Sequence, residues 1–226
     1  VEASTDTGAD VIVDAPTDTG DALDASFDCD ADIDSEGLPN NLRCTGLYSD
    51  WATKTVTSDV RPFSPGYALW SDGAMKSRFI YLPPGSTIDN ANLDEWTFPI
   101  GTKTWKEFRL GTQRIETRFF HKTGATTWVF AVYRWSADEQ SATRLDGGET
   151  NVNGTPYEIP TKAQCMLCHQ GRNDRVLGFD AVSLGASTAS GTTLQTLVTQ
   201  NLLTVAMAQT LEIPQDSTNI ARAPFG

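Results

Sequence analysis

Between Thr55 and about Tyr157 the chain is rich in β-branched and aromatic runs punctuated by turn residues, a pattern that predicts an antiparallel sheet. Four runs stand out. Ser77 to Leu82 stops at Pro83-Pro84-Gly85, and Lys103 to Leu110 stops at Gly111. Gln113 to His121 and Thr126 to Trp135 flank Lys122-Thr123-Gly124-Ala125, the clearest hairpin in the chain. In the second of these strands Trp128, Phe130 and Val132 face one side while Val129, Ala131, Tyr133 and Trp135 face the other, so both faces of the sheet need cover. Past Tyr157 an edge segment, the Pro160 break and a helix start change the pattern. Leu194, Leu197, Val198, Leu202, Leu203 and Met207 are then spaced to line one face of a helix, reached through the Ser/Thr/Ala/Gly stretch from Gly185 to Gly191. The fold class expected is α+β and mainly β: an antiparallel sheet domain over 29–160, followed by a helical segment over 161–226 that packs on it.

Composition adds a third region. The 226 residues are 39% apolar with six Trp and ten Phe, enough for a real core. Twelve of the 29 acidic residues fall within residues 1–36, which hold no Lys or Arg, so the remainder is balanced at 17 acids and 17 bases. Residues 1–28 read as a disordered acidic tether, because Asp, Thr, Ala and Gly bury too little surface to offset the entropy of ordering. Asp28, Asp30, Asp32 and Asp34 alternate as hard oxygen donors, which also raises calcium, although the glycine and terminal Glu of an EF-hand are missing. An acidic tether on a neutral body argues against nucleic acid as a partner. No run is long and apolar enough to cross a bilayer, and the start at Val1 lacks the regions of a signal peptide, so a mature or trimmed chain is expected. Ser71-Asp72 with a distant His makes no hydrolase constellation and reads as a turn.

The strongest chemical signal is Cys165-Met166-Leu167-Cys168-His169, the C-x-x-C-H spacing at which two thiols form thioethers to haem vinyls and the adjacent His ligates the iron. Two other readings share part of that pattern. A thioredoxin-like redox pair needs a preceding buried strand, and a zinc site needs Cys29, Cys44 or His121 brought from far away. Haem attachment of this type takes place outside the bacterial cytoplasmic membrane, so a periplasmic or extracellular location follows, with possible tethering to the cell envelope and with Cys29 and Cys44 paired as a disulfide. One cover of the sheet is then open to a haem plane. The sixth iron ligand has His121 and Met207 as candidates, Met75 ranking below them, or the position is open.

The motif followed by Val176-Leu177-Gly178-Phe179 and Ser183-Leu184 resembles the first haem module of a family of secreted bacterial c-type cytochromes. Upstream, Leu69-Trp70-Ser71-Asp72-Gly73-Ala74 with Lys76 and Arg78, Phe98-Pro99-Ile100-Gly101-Thr102, Glu116-Thr117-Arg118 and Tyr133-Arg134-Trp135 are similar to that family across most of residues 44–226. In such relatives the module is sometimes appended to sugar-dehydrogenase-like propellers and often followed by a second C-x-x-C-H helix. No second motif occurs before Gly226, so the expectation is a single-haem member or a second haem segment lying outside this sequence. A weaker resemblance joins the chain to small β-sheet cytochromes with a lysine cross-linked to the haem, and there Lys106 is the lysine to inspect.

Three functions follow as expectations. The first is electron transfer by one covalent haem c with a redox partner protein, which needs no catalytic residue. The second is a haem enzyme or small-ligand sensor with an open distal site, where Arg118, Arg134 or His121 polarises peroxide, oxygen or a nitrogen oxide. The third is a surface or assembly subunit that oligomerises and whose haem is structural or relays electrons.

Overall fold

Alternating side chains suit a sheet covered on both faces, and the runs read from sequence form its central strands. The computed structural model describes residues 27–67, 69, 73–93 and 95–211. The expected tether up to residue 26, the Trp70-Ser71-Asp72 landmark and residues 212–226 lie outside them. The strands are β1 (Tyr48–Asp50), β2 (Thr55–Val56), β3 (Val60–Ser64), β4 (Met75–Tyr81), β5 (Lys103–Leu110), β6 (Gln113–Lys122), β7 (Trp128–Trp135), β8 (Ala142–Arg144) and β9 (Ser190–Gly191). The helices are α1 (Lys162–His169), α2 (Ala181–Gly185) and α3 (Leu194–Thr199). Seven strands form one antiparallel sheet in the order β8-β7-β6-β5-β4-β3-β9, with β1 and β2 as a separate ribbon.

The hairpin forms with shifted ends: Lys122, read as part of the connection, is paired opposite Trp128, the second strand starts there and not at Thr126, and the turn is closed from Thr123 N–H to Thr127 O at 3.0 Å. One face of the sheet presents Trp105, Phe119, Ala131, Tyr133 and Trp135 and is covered by Leu38, Leu42, Leu47 and Trp51 from the N-terminal segment. Trp51 stacks on Trp135 at 5.2 Å, and the Tyr133 hydroxyl donates to Pro39 O at 2.8 Å. The Cys29–Cys44 disulfide forms and closes this segment on itself. The opposite face carries Phe108, Phe120, Phe130 and Val132 and is covered by α1 and the loops around Tyr157 and Ile159.

A bulge between Phe108 and Arg109 in the β5–β6 pairing changes the phase of β6. Arg114 therefore joins Glu107 on the first face at 3.0 Å, while Ile115 packs with Phe108 and Cys165 on the second.

The C-terminal part differs from the helical segment expected. The helix carrying Leu194, Leu197 and Val198 ends after Thr199, and Asn201 turns left-handed at φ 54°, a conformation in which asparagine commonly terminates helices. Leu202, Leu203 and Met207 still reach the cluster built on Ile80, Ile88, Trp96 and Phe179, but from irregular chain outside any helix. Leu203 bridges Ile88, and Ile88 N–H donates to Leu202 O at 2.8 Å. The same region supplies β9, which pairs with β3 through Phe63 and Ser64, so the C-terminal part is woven into the sheet as well as packed on it. Among the described residues no helix is long and apolar enough to cross a membrane.

Candidate functional site

Pro160 precedes α1, and Thr161 with Gln164 forms a capping box that fixes where the helix begins. Cys165, Cys168 and His169 consequently stand three and four residues apart on one helical face, in the last turns of α1. Cys165 is buried among Phe108, Ile115, Val132 and Tyr157, whereas Cys168 is exposed, and both are free thiols. Burial raises the Cys165 thiol above its ordinary value, opposite to the low value of a reactive redox thiolate.

His169 is buried and its ring stacks on Phe120 with centroids 4.5 Å apart. Phe120 in turn stacks on Phe130 at 5.1 Å. The Nδ1 atom of His169 lies 2.5 Å from Arg175 O. A carbonyl only accepts, so the proton sits on Nδ1 and the Nε2 lone pair is left for a metal, the usual arrangement around histidine ligands. Burial first, then the charge of Lys106, pushes the His169 pKa down to about 3, so the imidazole is neutral.

The loop that supplies Arg175 O is anchored by its neighbour Asp174. Both Asp174 carboxylate oxygens accept from buried Lys122 Nζ at 2.6 and 2.7 Å, and the same group takes bonds from Trp128 Nε1 and Phe98 N–H.

Beneath the helix the sheet presents a cationic row. Arg78 on β4, Lys106 on β5 and Arg118 on β6 are in register and so point to the same face as Phe120. Arg118 is paired with Glu116 at 2.7 Å and lies over the Phe108 ring. Arg78 is 7% exposed, and its guanidinium makes no hydrogen bond or ion pair with any described residue; Nε is wholly buried. Lys106 likewise finds no hydrogen-bond partner among the described residues, and burial followed by the charges of Arg78 and Arg118 pushes it down to about 7.

His121 alternates with Phe120 along β6 and therefore projects from the face opposite His169. There it lies near Phe119 and lines a cleft of about 570 Å³ with Tyr81, Ile100, Lys103 and Trp105. Burial, then Lys103, lowers its pKa. Met207 packs on the Ile88 and Trp96 cluster, and its sulfur accepts from Asn90 Nδ2 at 3.4 Å. Met75 is exposed at the start of β4, in register with Arg109 on the His121 face. None of the three is brought to His169. Arg134 does share its face but is bonded to Glu149 and Asn153.

The zinc set does not assemble, because Cys29 and Cys44 are in a disulfide and His121 is across the sheet. Among the described residues no group of three or more His, Cys, Asp or Glu side chains could hold a metal ion. The acidic run is dispersed: Asp28 accepts from Asp30 and Ala31 N–H, Asp32 from Asn41 N–H, and Asp34 from Leu38 N–H while it also pairs with Arg144.

The donor set fits a covalently held haem: two free thiols and an oriented neutral imidazole on one helical face, above a row of cations of which Arg78 has no counter-charge among the described residues. Sequence reasoning missed the Arg175 carbonyl, the Asp174 anchor and the isolation of Arg78. The first two leave no signal in a single sequence, while Arg78 was named only as a landmark of the family resemblance. No family model, curated protein or solved structure matches the chain.

Proposed function

We propose that this chain is a secreted c-type cytochrome that carries one haem and transfers electrons in the periplasm or outside the cell. Cys165 and Cys168 would hold the group through thioethers and His169 would ligate its iron. The observation that carries the reading is the His169 imidazole, buried and turned by its Nδ1 bond to Arg175 O so that Nε2 is the donor left over. Bound there, haem supplies a one-electron iron couple. The chain's own part is to fix the ring against Phe120, to exclude water with the Phe108 and Val132 cluster, and to set the potential through the nearby cations. Exposed Leu167 and Cys168 provide an edge on which a redox partner protein docks.

The position of the other candidate ligands favours a second reading. With His121 on the far face and Met207 held by Asn90, neither would reach a haem iron on His169, which would leave a place for peroxide, oxygen or a nitrogen oxide, with Arg118 a guanidinium on that side of the sheet. A visible spectrum of pure protein, oxidised, then reduced with dithionite, then exposed to carbon monoxide, separates the two. Sharp reduced bands unchanged by carbon monoxide mean a six-coordinate electron carrier. A shifted Soret band means an open iron. Protein matured in a host with the haem-attachment machinery that shows no haem absorption would overturn both.

A further inference from the structure

The guanidinium of Arg78 is the least compensated group in the described molecule. Burying a cation without a counter-charge is costly, and a sheet face tolerates it when a ligand supplies the missing anion. Arg78 is 7% exposed, with Nε wholly buried and without a hydrogen-bond partner among the described residues. Its register neighbour Lys106 has no hydrogen-bond partner among the described residues, and the next member of the row, Arg118, is already matched by Glu116. The uncompensated charge is therefore localised on β4 and β5 and not on β6.

The motif stands over the same part of the sheet: Cys165 shares a cluster with Phe108 of β5, and the charge of Lys106 acts on His169. His169 stacks on Phe120 of β6, and Cys165 packs on Val132 of β7. From β6 to β4 is two strand spacings, roughly 10 Å. Haem would bring two carboxylates to this face, where Arg78 and Lys106 are buried cations with no anion bonded to them among the described residues. We propose that Arg78 and Lys106 clamp the haem carboxylates and so fix which edge of the ring is buried against the sheet. This inference rests on the haem reading above. It makes the Cys168 and Leu167 side the exposed, thioether-bearing edge and assigns Arg78 a positioning role.

The consequence for the iron is electrostatic. The ferric state carries one more positive charge than the ferrous state, so nearby cations disfavour it and raise the potential. Haem-loaded full chain is compared as wild type, R78L, K106M, the double variant and R78K. R78L removes an unpaired buried charge and keeps apolar bulk, so it folds at least as well as wild type. The midpoint potential falls in R78L and K106M, falls further in the double variant, and returns close to wild type in R78K. The propionate bending mode in resonance Raman shifts in R78L and is unchanged in H121A, whose side chain is on the other face. Unaltered potentials and an unaltered propionate mode in both single variants overturn the clamp while leaving the haem reading intact. A wild-type potential that moves on adding acetate, with the propionate mode unaltered in R78L, assigns the cations to a free anion and also overturns it. A wild type without haem overturns the functional reading together with this inference.

Discussion

Replacing Asp174 by alanine tests the claim that the loop behind His169 is held by one buried ion pair. Lys122 is only 1% exposed, and both oxygens of Asp174 sit on its ammonium group at 2.6 and 2.7 Å. Asp174→Ala leaves that ammonium buried without a partner, which costs about 3–5 kcal/mol in comparable sites. Trp128 Nε1 and the Phe98 N–H also lose their acceptor, at about 1–3 kcal/mol for each that stays buried, although the losses overlap because all three share one carboxylate. The expected total is roughly 4–6 kcal/mol, a large part of a typical folding free energy of about 5–15 kcal/mol. Guanidinium denaturation followed by tryptophan fluorescence reads it directly. The double variant Lys122→Met with Asp174→Leu recovers most of the loss, since an apolar pair of similar volume removes the stranded charge. The single variant also frees the Arg175 carbonyl from its anchor, so the His169 ring loses its fixed tautomer and the haem spectrum broadens. A loss below about 1 kcal/mol, or a double variant as unstable as the single one, would refute the reasoning.

Other expectations follow from the same geometry. His121→Ala leaves the visible spectrum and the response to carbon monoxide unchanged, because the imidazole is on the face opposite His169; a changed Soret band would contradict that placement. Replacing Cys29 and Cys44 together by serine opens a cross-link spanning 15 positions and lowers stability by about 3 kcal/mol, and wild type treated with reductant shows the same shift in denaturation midpoint. The Leu38 N–H bond, with further bonds from Glu36 N–H and Arg144, holds the Asp34 carboxyl below the usual aspartate range. A depressed folded value means that its stabilisation is present above about pH 4 and is lost as pH falls through the folded value, so Asp34→Asn flattens the acid limb of a stability-against-pH curve.

Much of the sheet was legible because strand alternation is a local property. Lys103–Leu110 is a strand over the residues read from sequence, and the Gln113–Trp135 hairpin needs only its short turn. The strands that went unread are short or interrupted: Val60–Ser64 contains Pro62, and Ser190–Gly191 is two small residues at the sheet edge. The C-terminal helix was over-extended because Leu202, Leu203 and Met207 keep helical spacing while Asn201 breaks the backbone. Apolar spacing reports what is buried and not by which backbone. The candidate site divides in the same way. The Cys165, Cys168 and His169 triplet was readable from spacing, whereas His121 stood as a possible partner until its strand face was known.

What the amino-acid sequence by itself determined is therefore short-range: the alternation of the central strands, the turn after Lys122, the start of α1 at Thr161 and the grouping of two thiols and an imidazole on one helical face. Tertiary structure decided which surface that helical face meets. It set His169 on Phe120, placed His121 on the far side, turned Ile115 inward through a bulge, and left Arg78 buried with no counter-charge among the described residues. Those outcomes depend on pairings such as Ser64 with Ser190 and Lys122 with Asp174, whose partners are remote along the chain, and no local steric or periodic rule encodes contacts of that range.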